Sequence, residues 1–170
     1  MHIHVSRMRA AALGGSIQIA ATFQGVVRVQ LDDDGDALRE ELLAQYPEAS
    51  FKRPSAVTTD AVRVIRDYLD GGPAPLEVPI VLPEVGFATR VWRHLLRIPY
   101  GVARTYGGVA RGVRKPRAAR AVGQACGRNP VPLLVPCHRV LAADCRLGGY
   151  TGGTDVKRAL LELEGIEFRA

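Results

Sequence analysis

One short segment of this 170-residue chain places a thiol, an imidazole and a guanidinium in consecutive positions. Cys137, His138 and Arg139 follow an apolar run that contains three prolines, so a stiff loop carries the thiol. A cysteine attacks carbon as its thiolate, and a neighbouring base or cation favours that form. The segment therefore predicts a nucleophilic Cys137 with His138 as its base. Because the side chains of adjacent residues diverge, we expect a water to connect the two.

A histidine that acts as a base needs a carboxylate to hold its tautomer and to stabilise its charged form. Glu164, near the end of the sequence, is a candidate by its position alone. It shares a helical stripe with Lys157 and Leu161, beside the stripe that is predicted to be buried. An isolated glutamate in the last turn of a helix is usually solvated, so the pattern favours an exposed Glu164.

The cysteines also allow two other interpretations. Cys137 can be a buried and inert thiol. A zinc site is the other possibility, with four candidate ligands: Cys126, Cys137, His138 and Cys145. The spacing lacks the usual ligand pairs two to four residues apart, and adjacent ligands suit a tetrahedral ion poorly. We therefore predict no metal and no cofactor, and we interpret Cys126 and Cys145 as small apolar fillers.

A glycine-rich segment, Gly148–Gly153, follows the cysteine segment closely. Its glycines permit the backbone to approach a ligand, while Tyr150 and Thr151 offer a ring and a hydroxyl. The segment does not end in the Gly-Lys-Ser/Thr of a phosphate-binding loop. It predicts either the wall of a flat pocket for an aromatic ligand or an ordinary surface loop.

A pair of short helices is predicted before the cysteine segment. Thr105 can cap the first helix, and a turn at Lys115 and Pro116 leads into a second helix that contains Ala119 and Arg120. Two short helices around a tight turn are typical of a helix-turn-helix, although such pairs also serve in packing alone.

The charge distribution favours nucleic acid as a partner. Residues 1–78 hold 8 Lys and Arg against 11 Asp and Glu, whereas residues 79–170 hold 15 against 6. No acidic residue lies between Glu84 and Asp144. A stretch of positive charge attracts a polyanion because each neutralised phosphate releases a counterion. A solvated basic face is the alternative explanation of the same composition.

The remaining patterns indicate an α+β fold in two parts. In the first part, Ser16–Ala20 and Val26–Leu31 predict neighbouring strands of a short antiparallel sheet, and Asp32–Gly35 predicts a turn. The turn is followed by a predicted helix with four apolar residues on one face: Leu38, Leu42, Leu43 and Tyr46. A second helix in this part has Thr59 or Asp60 as its predicted cap.

Glycine and proline cluster at residues 71–75, so we place the domain boundary between residues 75 and 76. The N-terminal domain, residues 1–75, is predicted to be a structural α/β half. Residues 76–170 are predicted to form a mainly helical half with the helix-turn-helix. Thr154 or Asp155 is the predicted cap of its last helix, and Gly165 ends it. The predicted buried stripe of that helix has four members: Val156, Ala159, Leu160 and Leu163.

Composition narrows the class of protein. With 47% hydrophobic and 24% charged residues, the chain has the composition of a globular protein, not of a disordered, collagen-like or coiled-coil chain. No run approaches the roughly 18 apolar residues of a membrane-spanning helix. Gly14 and Gly15 interrupt the faint likeness of the N-terminus to a signal peptide. Three cysteines form no disulfide framework, and this favours a reducing, cytoplasmic location.

Taken together, these motifs resemble the O6-alkylguanine-DNA alkyltransferases. The core of the resemblance is Pro136–Val140, with Asn129 and Pro130 before it and Tyr150–Gly153 after it. Residues 1–78 resemble the variable N-terminal domain of that family only loosely. The likeness covers residues 87–165 almost continuously through five further segments: Val91–Trp92, Ile98–Gly101, Thr105–Gly107, Ala118–Gly123 and Leu160–Gly165.

The resemblance implies that Cys137 accepts the alkyl group from O6 of a damaged guanine. The implied partner is duplex DNA containing O6-alkylguanine, from which the target nucleotide is flipped, and each molecule reacts once. His138 and Glu164 would activate the thiol through a water, and Asn129 would tether the cysteine loop. A monomer without a membrane partner is expected.

Further roles follow from the same resemblance. Tyr106 would donate a hydrogen bond to the flipped base, and Arg120 would fill the gap in the base stack. The implied DNA-binding set also includes three residues of the helix pair: Gly107, Lys115 and Ala119. The implied base pocket has four members: Val140, Tyr150, Thr151 and Gly152.

The sequence departs from the family pattern at three places. Ala88 and Gly107 each stand where the family frequently has glutamine, and Thr151 stands where serine is common. None of these changes touches the cysteine chemistry. A lesion-binding protein without repair activity is the main rival, but proteins of that kind lack the acceptor cysteine. A regulator that responds to alkylation and a cysteine hydrolase are more distant rivals.

Overall fold

The computed structural model describes residues 1–31, 36–72 and 77–169. The chain divides into two compact units, Met1–Val81 and Leu82–Ala170. The predicted turn at Asp32–Gly35 and the predicted boundary between residues 75 and 76 lie outside the described residues, so the boundary stays a prediction.

The first unit contains a four-stranded sheet in the order β3-β2-β1-β4. β1 to β3 are antiparallel neighbours, whereas β4 lies parallel to β1. The two strands predicted from the sequence are confirmed as β2 and β3, and β1 and β4 are additional. The strands have these bounds: β1 His2–Ala10, β2 Gly15–Thr22, β3 Gly25–Leu31 and β4 Ser50–Lys52.

Two helices cover this sheet, α1 Ala37–Gln45 and α2 Ala56–Leu69. Leu38 and Leu42 of α1 pack in a cluster with residues of β1 and β2, as their spacing predicts, and Tyr46 packs against that cluster. Leu43 of the predicted face is exposed instead. The predicted cap of α2 at Thr59 or Asp60 is wrong. Ser55 caps the helix instead, because its hydroxyl accepts a bond from the Thr58 amide and the Thr58 hydroxyl accepts one from the Ser55 amide.

The second unit is mainly helical, whereas the first combines a sheet with two helices. The α+β fold class is therefore confirmed. The predicted helix pair is present as α4 and α5, and Thr105 caps α4 by accepting a bond from the Gly108 amide. Trp92 of α3 donates to the carbonyl of Ala125 in α5 at 2.8 Å. No helix within the described ranges is long and apolar enough to cross a membrane. The elements are α3 Phe87–Leu95, β5 Arg104–Thr105, α4 Tyr106–Gly112, α5 Ala119–Gly127, β6 Val140–Leu141 and α6 Thr154–Leu163.

The last helix, α6, has a different orientation from the one that its sequence pattern predicts. Neither predicted cap is present, since Gly153 precedes the helix at φ +91° and makes no side-chain cap. Gly165 follows it at φ +66°, as predicted. The buried residues of the helix are Lys157, Leu160 and Leu161, and Glu164, directly after it, is buried as well. Of the predicted stripe, only Leu160 is fully buried.

Candidate active site

The cysteine segment is built around a buried asparagine. Asn129 Nδ2 donates to the carbonyl of Val135 at 2.8 Å and to Cys137 Sγ at 3.1 Å. Its Oδ1 accepts a bond from the Val131 amide at 3.1 Å. One side chain thus holds both ends of the proline-rich turn and the thiol itself. Because a buried amide satisfied in this way has few alternative positions, it fixes the thiol in place.

Cys137 begins a short 3₁₀ turn, Cys137–Arg139, in which all three side chains are buried. His138 Nε2 lies 2.8 Å from Glu164 Oε1. A carboxylate can only accept a hydrogen bond, so the imidazole carries its proton on Nε2. The expectation that Glu164 is exposed is therefore wrong, since its side chain is completely buried. The predicted pairing of His138 with Glu164 is present in the structure.

In the absence of a substrate, the surroundings of Cys137 keep its side chain in the protonated thiol form. Burial raises its pKa above the ordinary value, and the bond from Asn129 and the charge of Lys157 lower the pKa less than burial raises it. A thiol of this kind reacts only if a base removes its proton during the reaction. A reaction at Cys137 therefore requires a proton acceptor in the site.

His138 has the properties of that acceptor. Burial lowers the pKa of His138 below its ordinary value, although the bond and the charge of Glu164 both raise it. The imidazole is therefore neutral near pH 7 and can take up a proton. With Nε2 committed to Glu164, Nδ1 is the basic nitrogen.

Lys157 belongs to this site, although the sequence pattern did not predict a role for it. Its side chain is fully buried, and Nζ donates to the carbonyls of Val140 at 2.7 Å and Gly149 at 3.4 Å. Nζ also lies 5.9 Å from the centre of the Tyr106 ring. Burial lowers the pKa of Lys157 to about 8. The signal that could have found it is its place on one helical stripe with Glu164.

A cavity of about 530 Å³ opens onto Cys137. Tyr150 and Thr151 line it as predicted, whereas Val140 and Gly152 are not among its described lining residues. The Thr151 hydroxyl donates to the Gly127 carbonyl at 3.0 Å. The described walls consist of two tyrosines and small residues: Tyr106, Gly123, Cys126, Gly127, Cys137, Gly149, Tyr150 and Thr151. Its size and its flat aromatic walls suit a planar ring.

Tyr106 connects this cavity to the helix pair. It is the first residue of α4 and also a wall of the cavity. A Cβ placed on Gly123 of α5 would lie 3.8 Å from its ring, so the two helices meet closely here. Burial raises the pKa of Tyr106 to about 12, so the phenol stays protonated and can donate a hydrogen bond.

The other residues predicted to bind DNA lie on the outside of the helix pair. Lys115 and Arg120 are exposed, and Gly107 and Ala119 are half-buried. Arg120 is the second residue of α5, which ends at the wall of the cavity. The structure thus places the exposed basic side chains of Lys115 and Arg120 and the thiol cavity on connected elements of one unit.

The remaining cysteines do not form the zinc site considered above. Cys126 is buried, as predicted, and it lines the cavity with Cys137. The interpretation of Cys145 as a buried filler is wrong, because this residue is exposed in a turn with φ +61°. Within residues 1–31, 36–72 and 77–169, no three His, Cys, Asp or Glu side chains are grouped as metal ligands.

Comparison with known proteins gives a consistent result for the second unit. Residues 86–166 match the family model described as "6-O-methylguanine DNA methyltransferase, DNA binding domain". A methylated-DNA–protein-cysteine methyltransferase of Mycobacterium tuberculosis is 49% identical over 104 residues. That alignment covers 61% of this chain and 63% of the relative, which is less than two thirds of the relative's length.

Solved structures extend the likeness to nearly the whole chain. The crystal structure of Mycobacterium tuberculosis O6-methylguanine methyltransferase is 34% identical, with a TM-score of 0.79, and the match covers 95% of this chain and 92% of that one. The structure of Mycobacterium tuberculosis OGT in complex with DNA is 33% identical, with a TM-score of 0.77 and coverage of 96% and 92%.

Proposed function

Because the chain belongs to the 6-O-methylguanine DNA methyltransferase family, we propose that it transfers the alkyl group of O6-alkylguanine in duplex DNA to its own Cys137. One observation carries the proposal. The Cys137 thiol lines a cavity with flat aromatic walls and is followed in the chain by a buried His138, which is paired with Glu164. That arrangement provides a nucleophile, a base and a place for a purine.

The reaction is a displacement at the alkyl carbon. The Cys137 proton passes through a water to Nδ1 of His138, and the sulfur attacks the carbon bound to O6 of guanine. The S–C bond forms as the C–O bond breaks, and its electron pair stays on the guanine. Glu164 accepts the bond from Nε2–H and stabilises the imidazolium that results.

Other side chains stabilise the negative charge on the Cys137 sulfur and on the departing guanine. Lys157 interacts electrostatically with Cys137, so its charge favours the thiolate. Tyr106 keeps its proton and donates a hydrogen bond to the departing purine. Asn129 holds Sγ in line with the substrate. In this proposal Tyr150 and Thr151 form the wall of the pocket that contacts the base, whereas Val140 and Gly152 lie outside the described lining of the cavity.

The helix pair is the proposed DNA-binding surface. Arg120 on α5 enters the duplex and occupies the space of the flipped nucleotide, while Gly107, Lys115 and Ala119 face the backbone. Support comes from the relative that was crystallised in complex with DNA and from the absence of acidic residues between positions 84 and 144. A thiol that must stay reduced to react also favours a cytoplasmic location.

The decisive experiment is intact-mass analysis after the protein is mixed with a duplex that contains O6-methylguanine. We expect the wild-type protein to gain one methyl group, which peptide mapping places on Cys137. Cys137→Ser should gain none. Cys145→Ser is the matched control, because it removes an exposed thiol outside the cavity, and it should react like the wild type. Absence of a gain in the wild type, or a methyl group on another residue, would refute the proposal.

A further inference from the structure

Glu164 accepts hydrogen bonds from other groups besides His138. Besides His138 on Oε1, Arg139 Nε donates to Oε2 at 2.8 Å and Arg139 Nη2 donates to Oε1 at 3.0 Å. The amide of Gly101 also donates to Oε2, at 3.1 Å. Arg139 thus holds both oxygens of a completely buried carboxylate in the planar, two-point geometry of a guanidinium.

Arg139 is itself fixed from a second side. Its Nη1 donates to the carbonyl of Ile98 at 2.6 Å, and its Cζ lies 5.9 Å from the centre of the Tyr100 ring. The Tyr100 hydroxyl donates to the carbonyl of Leu163, next to Glu164. The guanidinium therefore connects the turn after α3 with the end of α6. In this position it cannot rotate away from Glu164 without losing its contacts to both elements.

The Arg139–Glu164 pair changes the charge environment of the His138 imidazole. Lys157 on α6 and Glu164 directly after that helix act on the imidazole from one side, and Arg139 and Cys137 belong to its own turn. Glu164 favours the imidazolium, whereas the charges of Arg139 and Lys157 oppose it. A carboxylate that is already paired with a guanidinium attracts a proton on His138 less strongly than a carboxylate without that partner.

We propose that Arg139 is a positioning residue of the alkyl transfer, which aims Glu164 at His138 and keeps the imidazole neutral and ready to accept the Cys137 proton. This inference rests on the proposed function for its kinetic consequence. Its effect on His138 holds independently of any DNA substrate. A residue with only a structural role would change the amount of folded protein but would leave the titration of His138 in place.

The test compares Arg139→Gln, which loses the charge, with Arg139→Lys, which keeps it but cannot bond in two places. Arg158→Gln is the control, since Arg158 lies on α6 and contacts Phe168. Two readouts are measured against pH: the NMR titration of the His138 ring, assigned by its loss in His138→Asn, and the rate of methyl transfer from duplex DNA in a single turnover.

Removing the Arg139 charge should raise the pKa of His138, so both the titration and the acid limb of the rate should move to higher pH. For each pH unit of movement, the rate below the midpoint falls about tenfold. Arg139→Lys should react more slowly at every pH without moving the midpoint, and Arg158→Gln should match the wild type.

An unmoved midpoint in folded Arg139→Gln overturns the proposal, and so does an equal movement in the Gln and Lys variants. If Arg139→Gln does not fold, Arg139→Lys decides, because a shifted midpoint there contradicts the assignment and an unshifted midpoint with a slower rate supports it. If the wild type itself transfers no methyl group, the proposed function fails, while the His138 titration still tests the role of Arg139.

Discussion

At the scale of single residues, the site brings together three titratable side chains, and burial disfavours the charged form of each. Cys137 has a raised pKa, and both His138 and Lys157 have lowered ones. Each group is therefore held closer to its neutral form than in water, although Lys157, with a pKa of about 8, is still mainly charged at neutral pH. Each can change its charge when a neighbour does. Such a site can move one proton from sulfur to nitrogen without placing a net charge in the protein interior.

Lys157→Met is the first prediction at this scale. Lys157 lowers the pKa of Cys137, so its removal should raise that pKa further and reduce the thiolate present at neutral pH. We expect methyl transfer to slow by about tenfold for each unit by which the pKa rises. The rate of Cys137 alkylation by iodoacetamide, followed against pH by peptide mass spectrometry, measures the shift directly.

Arg158→Met is the matched control for that change, because it removes a positive charge from the next position of α6. Its thiol titration should match that of the wild type. If Lys157→Met leaves the pH dependence of Cys137 alkylation unchanged, then Lys157 serves only to satisfy the carbonyls of Val140 and Gly149.

At the scale of elements, the first unit depends on a close backbone approach at the start of β3. Gly25 has φ +152°, and a Cβ there would lie 2.6 Å from the carbonyl oxygen of Pro79. The neighbouring residue Val26 accepts a bond from Val81 and donates one to Pro79, both at 2.8 Å. Because backbone atoms surround the missing side chain, neither neighbour can move aside without breaking this pairing.

Gly25→Ala should therefore destabilise the first unit by about 1–3 kcal/mol. Gly15→Ala, at the start of β2, is the control because no atom lies within 4 Å of its added Cβ. We expect that variant to stay within about 0.5 kcal/mol of the wild type. Urea denaturation followed by circular dichroism compares the free energies of unfolding, and equal values for the two variants would contradict the steric argument.

The elements of the second unit show how a helix register decides the chemistry. The buried face of α6 contains Lys157, and Glu164 follows the last turn on the same side. A rotation of α6 toward its predicted stripe would turn both charged groups to solvent. The hydrogen bonds of Glu164 with Gly101, His138 and Arg139 stabilise the observed rotation.

At the scale of the whole molecule, charge and chemistry are concentrated in the same part of the sequence. Residues 79–170 carry 15 Lys and Arg against 6 Asp and Glu, and they include the thiol and the helix pair. Electrostatic attraction to DNA phosphates is independent of sequence and weakens as salt is added. In the proposed function, the positive charge therefore binds the protein to undamaged DNA during the search. The cavity then accepts only a base that is flipped out of the duplex.

The whole protein should act once per molecule. A thioether sulfur is a poor leaving group, so we expect no side chain of the cavity, the second thiol Cys126 included, to remove the methyl group from Cys137. With methylated duplex in excess, methyl transfer should stop at one group per protein, as counted by a labelled methyl. Protein that has already reacted should accept no more. Transfer of two or more groups per molecule would show that turnover occurs.

Local patterns in the sequence were sufficient for several of these features. Cys137, His138 and Arg139 could be singled out because they are chain neighbours, and the helix pair was predictable because helical spacing and the Thr105 cap are local. The alternating residues of β2 and β3 were informative for the same reason. Strands β1 and β4 were not predicted, because β1 mixes charged and apolar residues and β4 has only three residues.

By itself, the sequence determined the Cys137–His138–Arg139 cluster, the α+β class and the basic character of the second half. Only the tertiary structure decided that Glu164 and Lys157 point inward, that Arg139 shares the carboxylate with His138, and that Cys145 does not belong to the site. The physical reason is that burial of a charge depends on partners from distant positions. Gly101, His138 and Glu164 meet only after the chain has folded.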